Sequence, residues 1–255
     1  MPAVATSRTV FPLRDNIPTE RFPIVTVALI VANVLVYFLW QRGGLSLGSP
    51  DSTHYLCNLY EYGVIPREVT DPDFELQARG CAPFEAPPPV TLFTSMFMHG
   101  GLLHLGGNML FLWIFGNNVE DSMGPVRFIL FYVLGGLAAD ASQIVIDTGS
   151  QIPTIGASGA VAGVLGGYLL LFPRARVVTV VFIIFFFTIL ELPALLFLVF
   201  WIGQQFLFAY FDLIGPDEGG GVAYFAHIGG FLFGLLLIRV FASERRRRRQ
   251  IERMT

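Results

Sequence analysis

Val177 to Phe211 reads VVTVVFIIFFFTILELPALLFLVFWIGQQFLFAYF, 35 residues whose one charged member is Glu191. As a single helix this run would extend ~50 Å, against ~30 Å of bilayer hydrocarbon, so one span cannot hold it. Two spans would each be short. They would also send Arg174 and Arg176 to the opposite side from the arginines at 245–249. The reading adopted is therefore a membrane-surface or re-entrant segment over Val177–Leu190, followed by one span from about Glu191 to Phe211. That span begins near Pro193, a residue that helix starts tolerate.

Outward from this run, five further apolar stretches recur: Phe22–Trp40, 93–117, 125–146, 158–172 and 222–241. Six spans follow, and the fold class is an all-α polytopic membrane bundle. Composition agrees: of 255 residues 54% are hydrophobic and 14% charged, with a mean hydropathy of +0.63. Soluble domains carry about 25% charged residues. The balance excludes an ordinary soluble enzyme, a disordered chain and a nucleic-acid binder with a broad basic surface. The first run is read as an anchor and not a cleaved leader, because Gln41-Arg42-Gly43-Gly44 follows it with no small-residue cleavage site.

Three regions result: a polar N-terminal tail at 1–21, a membrane domain at 22–241 with a soluble loop at 41–90, and an arginine-rich tail at 242–255. All 16 basic residues are arginine, and with the N-terminus inside, 13 of them fall on the cytoplasmic side. The positive-inside rule then sets both termini in the cytoplasm. The arginine run anchors topology and touches anionic lipid; it is not read as a nucleic-acid site. A bacterial inner membrane suits the short tails. Cys57 and Cys81 share the outer loop; a disulfide, two free thiols or a metal role shared with His54 all fit that placement, although three ligands fall short of a structural zinc site. No cofactor and no metal are expected.

Polar groups inside spans are costly and mark function more often than chance. Four stand out: Ser158 in Gly156-Ala-Ser-Gly159, His227 in Ala226-His-Ile-Gly-Gly230, and His104 with Asn108 in His-Leu-Gly-Gly-Asn. Singly, each has a bland explanation: a packing serine, a hydrogen-bonded structural histidine, an interhelical clamp. Together they agree in depth. Ser158 lies ~24 Å from Arg174 along its helix, His227 ~18 Å from Arg239, and His104 ~20 Å from Asn117. Gly159, Gly163 and Gly167 form one small-residue stripe, and Gly230 and Gly234 another, so the helices can approach closely enough for a hydroxyl to meet an imidazole. Ser158 would be the nucleophile and His227 its base. The free N–H groups of the helix start after the Gly156 turn, with His104 and Asn108, would hold a developing oxyanion. No Asp or Glu is placed to orient His227, so a Ser-His dyad is expected.

With these motifs in order, His99-Gly-Gly-Leu-Leu-His104-Leu-Gly-Gly-Asn108, then Gly156-Ala-Ser158-Gly159, then Ala226-His227-Ile-Gly-Gly230 with Gly234, the chain resembles the rhomboid intramembrane serine proteases over residues ~22–241. The resemblance implies a compact bundle of six transmembrane helices with a wet cavity open to the outside. It implies cleavage of single-span membrane proteins near the outer face, and so transmembrane substrates and the lipid bilayer as partners. Ser158 and His227 would be catalytic, with Asn108, His104 and Gly156 at the oxyanion and His99 behind them. One departure stands out. Ala162 occupies the place where some members stack an aromatic on the base, and Phe225 is a substitute. The alternatives to the protease are a related non-enzyme that binds client transmembrane helices, and a transporter, for which no inverted repeat is visible.

Overall fold

The computed structural model describes residues 10–48, 50–78, 80–183, 186–215 and 222–252. Arg8, Arg79 and Arg253, three of the arginines that enter the orientation argument, lie outside them.

Six helical rods build the membrane bundle. The first is α1, Ile24–Leu35, extended by a π-helical turn over Val36–Trp40. In the outer layer follow α2 (Thr53–Tyr62), α3 (Pro66–Thr70) and α4 (Pro88–Thr94). The second rod is continuous from α5 (Leu102–Phe111) through a π turn at Leu112–Gly116 into α6 (Asn117–Met123). The remaining four are α7 (Pro125–Ile146), α8 (Ser158–Leu171), α9 (Ala194–Ile214) and α10 (Tyr224–Phe241). Of these, α7, α9 and α10 are long and apolar enough to cross a membrane singly. At about 21 Å, α8 is shorter than the hydrocarbon, and it is the central rod, with nearly every residue buried.

Two expectations change. The apolar run at 93–117 is not one span. Gly101, at φ 147°, breaks it, and a Cβ there would overlap the Gly48 carbonyl. Residues 93–101 join the outer layer, and the first N–H groups of α5 bond to the Ser46 and Leu47 carbonyls (3.1 and 3.2 Å). The second change is one of detail: Val177–Leu190, expected as a membrane-surface or re-entrant segment, is β-strand over its described residues. Strands β2 (Arg176–Ile183) and β3 (Phe186–Pro193) pair antiparallel, Arg176 opposite Pro193 and Ile183 opposite Phe186. Strand β1, Val10–Asp15, pairs with the other side of β2 and bulges between Pro12 and Arg14. A three-stranded sheet, order β1-β2-β3, is thus added to the helical bundle. The β-branched run Val177-Val178-Thr179-Val180-Val181 explains it, since such side chains fit a pleated surface better than a helix.

Glycine seams hold the central rods together. A Cβ on Gly230 would overlap the Gly159 carbonyl, one on Gly234 the Gly163 carbonyl, and one on Gly166 the Phe231 carbonyl. The α8 and α10 backbones therefore touch. On the other side of α8, Ala139 of α7 fills the space beside Gly159. Gly167, read as part of the same stripe, instead faces the Ile238 and Phe131 side chains.

The 41–90 region is folded. Cys57 and Cys81 form a disulfide, which leaves no free thiol among the described residues. Val64 and Thr154 exchange backbone hydrogen bonds (3.0 and 2.7 Å), so this layer is sewn to the segment that leads into α8.

At the arginine-rich end, α11 (Glu244–Glu252) returns to the bundle, with Gln250 Nε2 donating to Asp121 Oδ2 (3.2 Å) and Arg249 pairing with Glu20 (3.6 Å). Residues 10–21 are structured there as well. Glu20 N–H donates to Asp121, and Asp15 accepts from Asn118 and from the Tyr168 hydroxyl at 2.6 Å each.

Candidate active site

Ser158 is the first residue of α8. Its N–H, like those of the next two residues, has no carbonyl four residues back to bond to. The turn before it needs Gly156, whose φ is 115°. A Cβ on Gly156 would fall 2.7 Å from His104 Nε2, so a side chain there would push the imidazole away from Ser158. Gly156 itself offers no oxyanion donor, contrary to expectation: its N–H is already bonded to the Ser95 carbonyl (2.9 Å). Its contribution is space.

His227 projects from the first turn of α10, three residues before Gly230, the first α10 glycine in the seam with α8. Its Nε2 lies 2.8 Å from Ser158 Oγ. Its Nδ1 lies 2.7 Å from Gln205 Oε1 on α9. An amide oxygen only accepts, so the Nδ1 site carries the proton and the Nε2 lone pair faces the serine hydroxyl, which donates. The imidazole face packs against Trp201, ring centroids 5.8 Å apart and 36° between planes.

His104 and Asn108 lie one turn apart on α5. The Gly100 N–H donates to His104 Nδ1 (3.1 Å), which places the ring proton on Nε2, the atom beside Gly156. Asn108 Nδ2 donates to the His104 carbonyl (3.0 Å). An amide nitrogen has two protons, so one is left to give. His99 is fully buried behind this pair. Its ring meets His104 edge-on at 5.1 Å, and its backbone is gripped by Gln41, which donates to the carbonyl (3.1 Å) and accepts from the N–H (3.0 Å).

Four rods thus converge on one corner: α5, α8, α9 and α10. Ser158, His227 and His104 reach it, Asn108 lies one turn from His104 on the same face of α5, and His99 sits one layer back. Sequence reading missed Gln205 and Trp201, one helical turn apart on α9. The aromatic that meets His227 is Trp201 and not Phe225. Hydroxyl, imidazole and converging N–H donors are the parts of an acyl-transfer centre. Among the described residues no group of three or more metal-ligating side chains occurs.

Comparison with known proteins gives the family. The family profile described as Rhomboid domain matches residues 88–244. The mitochondrial Rhomboid protein 1 of Saccharomyces cerevisiae is 29% identical over 169 residues, covering 63% of this chain and 45% of the yeast protein. Human presenilin-associated rhomboid-like protein, also mitochondrial, is 25% identical over 209 residues, 81% of this chain and 45% of its own length. Rhomboid protease GluP of Bacillus subtilis is 40% identical over 78 residues, 31% of this chain and 15% of that protein. The chain therefore spans less than half the length of these relatives.

Proposed function

The chain belongs to the rhomboid family, and from that membership and the geometry of its site we propose that it is an intramembrane serine endopeptidase. The observation that carries this reading is the 2.8 Å contact from Ser158 Oγ to His227 Nε2, with the far imidazole nitrogen already bonded. His227 Nε2 takes the serine proton as Oγ attacks the scissile carbonyl carbon. The carbonyl oxygen becomes an oxyanion beside the Ser158 N–H, His104 Nε2–H and Asn108 Nδ2–H. The imidazolium then protonates the leaving amine, and the C–N bond breaks. Water attacks the acyl carbon, losing its proton to His227; the Oγ–C bond breaks, the imidazolium returns that proton to Ser158 Oγ, and the acid product leaves.

The substrates are transmembrane segments of single-span proteins, cut near the face opposite the arginine-rich end. That end, with both termini, lies in the cytoplasm, and the 41–90 layer lies outside it. The membrane is a bacterial inner membrane. GluP, named a protease, supports the activity; the mitochondrial relatives place the same family in organelles. The alternative of a client-binding non-enzyme has no use for a serine–imidazole contact. Reconstitution with a tagged single-span substrate in liposomes tests the proposal. Cleavage by the parent, with none by Ser158→Ala, is expected. Equal cleavage by both would overturn it.

A further inference from the structure

We propose that Gln205 is a positioning residue for the base: its side-chain oxygen holds His227 in the Nδ1–H form and aims Nε2 at Ser158. The inference rests on the reading of His227 as the base.

Three observations carry it. Gln205 is buried on a helix whose surface is otherwise mostly apolar and exposed, and a buried amide must be hydrogen-bonded to be tolerated. Its orientation is set, because Nε2 donates to the Trp201 carbonyl (3.3 Å) and Oε1 is thereby the atom that meets His227. Trp201, one turn earlier, packs on the imidazole face. One helix thus fixes both the edge and the plane of the ring, and α8 receives the result. A neutral imidazole not held in this way divides between two tautomers, and only one presents a lone pair to the hydroxyl. The amide oxygen also accepts more strongly from an imidazolium than from a neutral ring, so it favours the charged form that arises in the reaction.

The other groups facing His227 are few among the described residues. From α5 comes His104, and from α8 Ser158. On α7, Gln143 accepts from the Ala226 N–H (3.3 Å), and Ser142 lies beside Gly229. Asp140 is one turn on from Gly136, whose absent side chain would meet Met96, so it lies on the α7 face turned from α10. On α10 itself Tyr224 packs against Phe208 (5.6 Å). No carboxylate takes the place that Gln205 occupies.

The test uses the full chain with Gln205→Met, which keeps length and removes the acceptor, and Gln205→Glu, which replaces amide with carboxyl. Readouts are kcat and KM on a transmembrane substrate, the pH dependence of Ser158 labelling by a fluorophosphonate, and the 15N resonances of His227. Gln205→Met is expected to lower kcat on the order of 10- to 100-fold with KM within about twofold, and to move the acid limb to lower pH. Gln205→Glu is expected to recover most of kcat and move that limb to higher pH. Parent kcat and parent pH limb in Gln205→Met would overturn the proposal. So would equal losses in both variants with an unmoved limb, the signature of packing alone. The parent's resonances decide the matter even where a variant does not fold: Nδ1–H at His227 is expected, and Nε2–H overturns it. A parent with no turnover and no labelling would instead remove the proposed function, while the tautomer would still report on Gln205.

Discussion

Asn108 and His104 offer N–H groups to a charge that exists only while the substrate is tetrahedral. Their loss should therefore act on kcat and leave KM little changed. Asn108→Ala is expected to reduce kcat on the order of 100- to 1,000-fold, measured on a reconstituted substrate; a KM effect alone would contradict the role. Gly156→Ala should slow Ser158 labelling for a different reason, since its methyl group would displace the His104 ring and the left-handed φ disfavours any Cβ. The polar residues of the site were legible only as a set, because each alone has a structural explanation and their matched depth beside glycine stripes does not. Gln205 was not, because no motif surrounds it. The signal available was its cost: Gln204-Gln205 interrupts an apolar run, and a buried amide demands a partner.

Helix α1 starts after Pro23 with no side chain of its own to cap it. The cap comes from α6, nearly a hundred residues on. Glu120 accepts from the Val25 N–H (3.0 Å), the Thr26 N–H (2.8 Å) and the Thr26 hydroxyl (2.7 Å). A carboxylate at this end of a helix also meets its positive dipole. Glu120→Ala is expected to lower stability by about 2–3 kcal/mol, and Glu120→Gln by less, read by thermal unfolding in detergent. The α8–α10 seam gives a second test. Gly234→Val places a branched side chain on the Gly163 carbonyl and should prevent native packing, whereas Gly106→Ala, in open space on α5, should change little beyond helix propensity. The seam was visible as the spacing of Gly159, Gly163, Gly230 and Gly234, although Gly166, which also meets α10, lay outside the stripe that was read. The hairpin was not, since its strands are as apolar as a span and β1 lies more than 160 residues from its partner. The unbroken run of β-branched residues after Arg176 was the available sign.

At the scale of the molecule, Asp15 joins three elements outside the spans' cores: β1, the Asn118 turn of α6 and the end of α8 at Tyr168. Burial raises its carboxyl to about 6, against the hydrogen bonds from Tyr168, Ile17 and Asn118 that pull it down. A raised carboxyl favours the protonated folded state. Stability from this group is therefore fullest below about 4 and is lost as pH rises through about 6, by at most about 3 kcal/mol. Unfolding midpoints of the parent should fall across that window, and Asp15→Asn, which keeps an acceptor, should flatten the fall. The six rods, and the meeting of three of them, could be read from composition and spacing. The wrapping of the N-terminal residues could not, because it depends on single polar contacts between distant segments. That wrapping matters to anyone who shortens the protein. A version begun at the first span would strip one flank from β2 and leave a bare row of amides and carbonyls on a valine-rich ribbon, open to pairing with the same ribbon of a neighbouring molecule. Clumping of such a truncated form, cured by adding residues 10–15 back, would trace the fault to that flank.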